Sequence, residues 1–312
     1  MSWMGFGTYD DGAGLKPALA LGEKLYDLQQ VVKAGAPPAK QEWLAPEGVR
    51  AMLGDWQEAQ AWLKAAAPLA EGRAQEGGLK PVPDAARIAP PYVPQRIFCA
   101  ASNYAEHASE MGTELAAKAQ SKPYMFLKLS NTVIGDGDTI LMPPETRMLD
   151  WEIELAAVIG KRGRRIPVED ALSHVAGYTV INDISARDLN VRSDYPFKHD
   201  WFQGKCHDTF APIGPWIVPA WQIPEPQAVR MRLDVNGEPM QEDTTANMIW
   251  TVREQISYLS TIVTLEPGDV VATGTPTGVG MGRGIYLKSG DRLVASIEGI
   301  GKLSNEVKAE AL

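Results

Sequence analysis

The sequence predicts a mostly β protein with some α-helix: a body of short strands folded as a rolled, barrel-like sheet, preceded by a small N-terminal α+β segment. Two observations carry this. From residue 96 onward, short apolar runs alternate with Gly- and Pro-bearing turns, the pattern of a body built from many short strands. Between residues 72 and 95 lie Gly77-Gly78, Pro81, Pro83, Pro90-Pro91 and Pro94, a turn-rich or extended stretch that marks a boundary. Residues 1–90 are therefore expected to form a small domain with its linker, and residues 91–312 the main body.

The elements follow in order. Short strands are expected within 15–28. Residues 47–67 read as a helix, because Val49, Met52, Leu53, Trp56, Ala59, Trp62, Leu63 and Ala66 form one apolar stripe behind Pro46. Strands are expected at 96–100, 123–129, 151–159, 177–181, 216–218, 230–235, 269–273 and 292–297. Asn236-Gly237 should turn a hairpin, and Glu266-Pro267-Gly268-Asp269 should feed the run Val270-Val271-Ala272. Residues 246–263 read as a helix with Ile249, Val252, Ile256, Leu259 and Val263 on one face. There is no internal repeat.

Composition narrows the function classes. The chain has 312 residues, 45% of them apolar, enough for a sizeable core, and a formal net charge of −9. That charge argues against nucleic acid or an anionic membrane as partner, since both want basic surface. No stretch of eighteen apolar residues exists, so no membrane span is expected. The two cysteines, Cys99 and Cys206, do not suggest a disulfide framework. The start, Met1-Ser2-Trp3-Met4-Gly5, lacks the basic and apolar regions of a secretory signal. A reducing cytoplasm is the simplest compartment.

Glu152 and Glu154 are spaced i, i+2 in a β-prone run, so they share one strand face, while Trp151, Ile153 and Leu155 share the other. Two acids beside a sheet core are costly unless their charge is offset; the alternative is a solvated acidic face. Asp183 ends another apolar run, 178–181, and would complete an oxygen-rich site. Three carboxylates without cysteine favour Mg²⁺, Mn²⁺ or Ca²⁺ over zinc. His107 and Glu110 are neighbours on a helix and suit either a general base acting through water or a surface ion pair. Lys205 fits an anion-binding point charge or an ordinary surface lysine. Arg187 fits a fork for a carboxylate or a salt bridge with Asp188 or a neighbouring acid. The glycine-rich segment 274–284 lacks the ending of a P-loop. It reads as an active-site loop with exposed N–H groups and an available Thr275 hydroxyl, or as a plain surface loop.

In this order the segments resemble the fumarylacetoacetate hydrolase family: Asn103-Tyr104-Ala105-Glu106-His107, Phe126-Leu127-Lys128, Asp150-Trp151-Glu152-Ile153-Glu154-Leu155, Asn182-Asp183-Ile184-Ser185-Ala186-Arg187-Asp188, Gly204-Lys205, Asp208-Thr209-Phe210-Ala211-Pro212-Ile213-Gly214-Pro215-Trp216, Asn236-Gly237 and Gly274-Thr275-Pro276-Thr277-Gly278-Val279-Gly280. The resemblance runs from about residue 96 to the C-terminus. It implies a mixed β-sandwich roll, a homodimer, and a Mg²⁺-type ion held by Glu152, Glu154 and Asp183. It matches His107 and Glu110 to a water-activating dyad, Lys205 to a lysine that polarises substrate or binds an oxyanion, and Arg187 and Thr275 to the substrate site. Asn190 stands where glutamine is common, which unsettles the substrate contact there. Cys206-His207 replaces the more frequent Ser-Phe, so His207, with His199 and Trp201 upstream, marks either an unusual substrate or a packing change. The activity implied is hydrolysis of a C–C bond in an acylpyruvate or related β-diketo acid, by water attack and departure of a pyruvate enolate held by the metal. The alternatives are a 2-hydroxy-dienoate isomerase or hydratase and an oxaloacetate-type decarboxylase. A non-enzymatic keto-acid binding protein has no need of the dyad.

Overall fold

A computed structural model describes residues 3–112 and 114–311. Its body is a sandwich of two open sheets. The larger runs, edge to edge, through Lys24–Asp27, Leu15–Leu21, Met4–Asp10, Ala211–Pro219, Val175–Asn182, Ile153–Ile159, Val270–Ala272, Ile97–Ala101 and Tyr124–Lys128. The smaller runs through Glu238–Thr244, Arg230–Val235, Arg292–Ile297, Gly301–Ala309 and Thr139–Met142. Both sheets keep free edges, so the roll is not a closed barrel. Residues on either side of position 90 share the larger sheet, because Phe6 pairs with Ile217.

The two faces of the Ile153–Ile159 strand separate two cores. Ile153, Leu155, Ala157 and Ile159 pack with Trp151 against Met231, Leu233, Leu293 and Leu303 of the smaller sheet. Ala156 and Val158 pack instead under the N-terminal helices, with Leu53, Trp56 and Leu63. Alternation thus places Glu152 and Glu154 on the face opposite Trp151, as the spacing requires.

Some elements differ from the sequence expectation. The stripe over 47–67 is carried by two helices, Gly48–Gly54 and Trp56–Gln75. Asp55, at φ −109° and ψ 36°, breaks the backbone between them, yet every residue of the stripe is buried. The second helix also runs through Pro68, giving up one donor while Ala67 and Ala70 stay packed. The expected helix over 246–263 is shorter, Val252–Ile262. Its start is set by a capping box in which the Thr251 hydroxyl accepts from Glu254 N and Glu254 accepts from Thr251 N. Ile249 lies before it, its amide bonded to Asn103 O. The hairpin at Asn236-Gly237 forms with φ 54° and 85°, the left-handed pair that a two-residue turn needs. The strand Gly301–Ala309 was not expected, since its inward residues are Leu303, Asn305 and Val307. Asn305 interrupts the apolar alternation, and its Nδ2 donates to Gly135 O and Asp138 O, each at 2.9 Å.

Candidate metal centre and active site

Pairing register assembles the centre. Ile153 lies opposite Asn182, so Glu152 and Asp183 meet one step beyond the paired ends, where Asp183 N donates to Glu152 O at 2.8 Å. Glu154 lies opposite Ile181, two residues before Asp183 on the same face. Glu152, Glu154 and Asp183 thereby offer carboxylate oxygens within 4.8 Å of one another, and all three are buried.

Three cations face this cluster. Lys205 Nζ lies 2.6 Å from Glu152 Oε2 and 2.8 Å from Asp183 Oδ2. Lys128 Nζ donates to Asp183 Oδ1 at 2.5 Å and to Ile184 O at 3.0 Å. Arg187 spans two acids, Nε to Asp150 Oδ2 at 2.8 Å and Nη2 to Glu152 Oε1 at 2.6 Å. Arg187 therefore pairs with neighbouring acids rather than with Asp188, which instead accepts from Thr146 Oγ1 and Arg147 N.

The charges do not balance. Asp150, Glu152, Glu154 and Asp183 stand against Lys128, Lys205 and Arg187, all buried, leaving one negative charge in excess. Among the described residues no base hydrogen-bonds Glu154; its Oε2 accepts from Gly274 N, at 2.7 Å. Burial, then Asp183 and Glu152, push its carboxyl well above the ordinary range. Burial also pulls Glu152 upward, but Arg187, Lys205 and His107 outweigh it and hold that group below the usual range. Burial lowers Lys205, and the attraction of Asp183 and Glu152 more than reverses it. A hard divalent cation fits the donor set: it would take the three oxygens and offset the excess charge that otherwise disfavours ionised Glu154.

The dyad sits on the helix Ala105–Glu110. Asn103 anchors the chain just before it, with Nδ2 donating to Thr273 O and Trp250 O at 2.7 and 2.9 Å and Oδ1 accepting from Trp250 N. His107 is buried, and its Nδ1 lies 3.6 Å from Glu110 Oε2, too far for a hydrogen bond. That nitrogen has no other partner among the described residues. Both Glu110 oxygens accept from Gly278 N at 3.1 Å. Burial raises the Glu110 carboxyl, and His107 with the Gly278 amide outweighs it, holding the group below its ordinary range.

The glycine-rich loop departs from expectation. Four of its amides are taken: Gly274 N binds Glu154, Gly278 N binds Glu110, and Gly280 N and Met281 N bind Asp150. The Thr275 hydroxyl donates to Ile153 O at 2.8 Å and accepts from Gln241 Nε2 at 2.9 Å, so it braces the loop against the strand. Gly278 is required, since at φ +97° a Cβ would come within 2.1 Å of Met240 O.

Asn190 packs on Gly204, and its Oδ1 is buried without a hydrogen-bond partner among the described residues. His207 lies against Phe210, ring centres 5.0 Å apart and planes tilted by 45°, with Nε2 likewise without a partner among the described residues. Trp201 packs on Phe126 at 4.9 Å; His199 is exposed. Lys128 and Asp150 were not expected at the site. Asp150 is two positions from Glu152, the only spacing signal available for it. A concavity of about 620 Å³ lies elsewhere, lined by Arg230, Arg232, Glu298 and Lys302.

The two-sheet roll with its buried three-carboxylate cluster defines a class of metal-binding enzymes. Residues 96–308 match the family described as Fumarylacetoacetate (FAA) hydrolase C-terminal, and the chain belongs to that family. It is 40% identical over 222 residues to the oxaloacetate tautomerase FAHD2A, mitochondrial, of Bos taurus, covering 70% of this chain and 68% of that one. A fumarylacetoacetate hydrolase of Exiguobacterium antarcticum superposes with a TM-score of 0.76 at 32% identity, over 98% of this chain and 100% of that one. The fumarylpyruvate hydrolase of Pseudomonas aeruginosa, in complex with Mn²⁺ and pyruvate, superposes with a TM-score of 0.62 at 37% identity, over 73% and 93%. Members of the family are enzymes, hydrolases and isomerases or tautomerases among them, and so is this chain.

Proposed function

We propose that this protein is a divalent-metal-dependent hydrolase that cleaves a C–C bond in an acylpyruvate or a related β-diketo acid, with Mg²⁺ or Mn²⁺ held by Glu152, Glu154 and Asp183. One observation carries the proposal: the buried carboxylate cluster, which Lys205 contacts at Glu152, lies close enough to His107 for that ring to act on Glu152. When bound, the cation would act as a Lewis acid toward the 2-oxo acid end of the substrate. Glu110, fixed by the Gly278 amide, favours the His107 tautomer with a proton on Nδ1, which leaves Nε2 to take a proton from water. The 3.6 Å separation is of the kind that tightens when substrate binds. Attack of that water on the distal carbonyl, followed by C–C cleavage, develops negative charge on the departing enolate of pyruvate. The Lys205 ammonium, held by Glu152 and Asp183, stabilises it. Arg187 sets the direction of Glu152, and Thr275 and Asn190 border the substrate. A homodimer working in the cytoplasm is part of the same proposal.

A second reading has its own support. The bovine relative is named an oxaloacetate tautomerase, and the same His107–Glu110 pair could move a proton between carbon and oxygen without water attack. An ultraviolet assay with Mn²⁺ over acetylpyruvate, fumarylpyruvate, oxaloacetate and a hydroxymuconate separates the two. The hydrolase predicts loss of acylpyruvate absorbance with one pyruvate formed per substrate. Turnover of oxaloacetate tautomers alone, with acylpyruvates untouched, would overturn it.

A further inference from the structure

We infer that Asp150 is a positioning residue that couples the carboxylate centre to the His107–Glu110 pair; the inference rests on the function proposed above. Asp150 is wholly buried and its carboxylate is saturated. Oδ1 accepts from Trp151 N at 2.8 Å and Gly280 N at 2.6 Å, and Oδ2 from Met281 N at 3.0 Å and Arg187 Nε at 2.8 Å. Four donors fill the acceptor capacity of a carboxylate, so Asp150 has none left for a cation and is not a fourth ligand.

Its partners lead in two directions. Through Arg187, whose Nη2 holds Glu152 Oε1 at 2.6 Å, Asp150 sets how much of the guanidinium charge falls on a metal-facing carboxylate. Through Gly280 and Met281 it pins the loop whose Gly278 N holds Glu110. Trp151, the next residue, clamps the same loop from Nε1 to Gly278 O at 3.1 Å. The loop also needs Gly282 there, since a Cβ at that position would meet Glu110 Cγ at 2.2 Å. One buried carboxylate thus fixes both the arm that presents Glu152 and the arm that holds Glu110 beside His107.

The isosteric substitution D150N tests this. An amide accepts on one oxygen and adds donors that face Arg187 or the loop N–H groups. Arg187 then falls wholly on Glu152 and competes with a cation there. The expected result is a 10- to 100-fold loss of Mn²⁺ affinity, the size typical when a group behind a ligand is changed. It comes with faster amide exchange at Gly278, Gly280 and Met281 in the metal-free protein, while exchange in Ile153–Ile159 and Val175–Asn182 stays as in the wild type. A merely structural role would raise exchange in those strands too. If D150N fails to fold, two variants divide the question. M281P removes the loop donor to Asp150 Oδ2 in the first turn of the helix Gly280–Arg283, and should speed exchange at Gly278 and lower kcat with Mn²⁺ affinity unchanged. R187K loses the fork that directs Glu152, and should shift Mn²⁺ affinity from the wild-type value with loop exchange unchanged. Wild-type Mn²⁺ affinity in D150N or R187K, or wild-type Gly278 exchange in D150N or M281P, overturns the inference. E152A is the control for the metal reading: Mn²⁺ binding retained in E152A refutes that reading, while the exchange result still judges Asp150.

Discussion

Lys205 Nζ and Glu152 Oε2 lie 2.6 Å apart with both side chains withdrawn from solvent. The pair is not ornamental, because Lys205 also holds Asp183 at 2.8 Å and so sets one positive charge against two of the three clustered carboxylates. Removing its charge leaves the acids facing each other with less compensation. K205M should lose about 3 to 5 kcal/mol of stability in the metal-free protein, the usual cost of breaking a buried pair on one side. It should lower kcat about 100- to 1000-fold, as for removal of one stabilising donor. Urea denaturation in chelator, with and without added Mn²⁺, checks the first; Mn²⁺ should recover part of the loss.

Glu154 predicts a pH dependence. Its folded-state carboxyl is raised above the ordinary value of 4.5, so it stays protonated over a range where a free glutamate is charged. A raised folded value contributes stability that is complete below 4.5 and lost as pH rises through the raised value. Metal-free protein should therefore lose this contribution on going from acid toward neutral pH. A cation needs the carboxylate, so its binding should release a proton in that range, and affinity should rise with pH. Calorimetry of Mn²⁺ binding in two buffers of different ionisation heat measures the released proton; identical apparent heats would contradict it.

Asn190 and Gly204 form a second tested pair. A Cβ at position 204 would come within 1.6 Å of Asn190 Oδ1, so G204A must displace the carboxamide. If Asn190 borders the substrate, KM should rise about tenfold, the worth of one hydrogen bond of about 1.4 kcal/mol, with a smaller change in kcat. The double variant N190A/G204A should recover the stability lost in G204A, because the clash is gone, but not the KM. Steady-state kinetics with thermal melts on the three variants decides this.

Much of the site was legible because strand geometry is simple. The i, i+2 spacing of Glu152 and Glu154 opposite Trp151, Ile153 and Leu155 becomes a carboxylate face and a core face without further information. Asp183 was legible as a strand end. The partners that tune the cluster were not. Lys128 is 55 residues from Asp183 in the chain, and only the sheet order brings them together. Arg187 was visible as a cation, but its turn toward Asp150 rather than adjacent Asp188 depends on tertiary packing. The glycine-rich loop showed its backbone freedom in the sequence, but not that four of its amides are spent on Glu154, Glu110 and Asp150. Asn305 hid a strand because a buried amide satisfied by loop carbonyls looks polar in sequence.

The most direct measurement is Mn²⁺ titration of chelator-stripped wild type and E154Q, followed by pyruvate release from acetylpyruvate. No cation hydrogen-bonds Glu154 among the described residues, so glutamine can keep the Gly274 contact, and the metal-free variant should be at least as stable as the wild type. Wild type should be inactive when stripped and regain activity with one Mn²⁺ per chain, while folded E154Q neither binds Mn²⁺ nor releases pyruvate. Pyruvate release by stripped wild type, or by E154Q at the wild-type rate, would contradict a metal centre built on Glu152, Glu154 and Asp183.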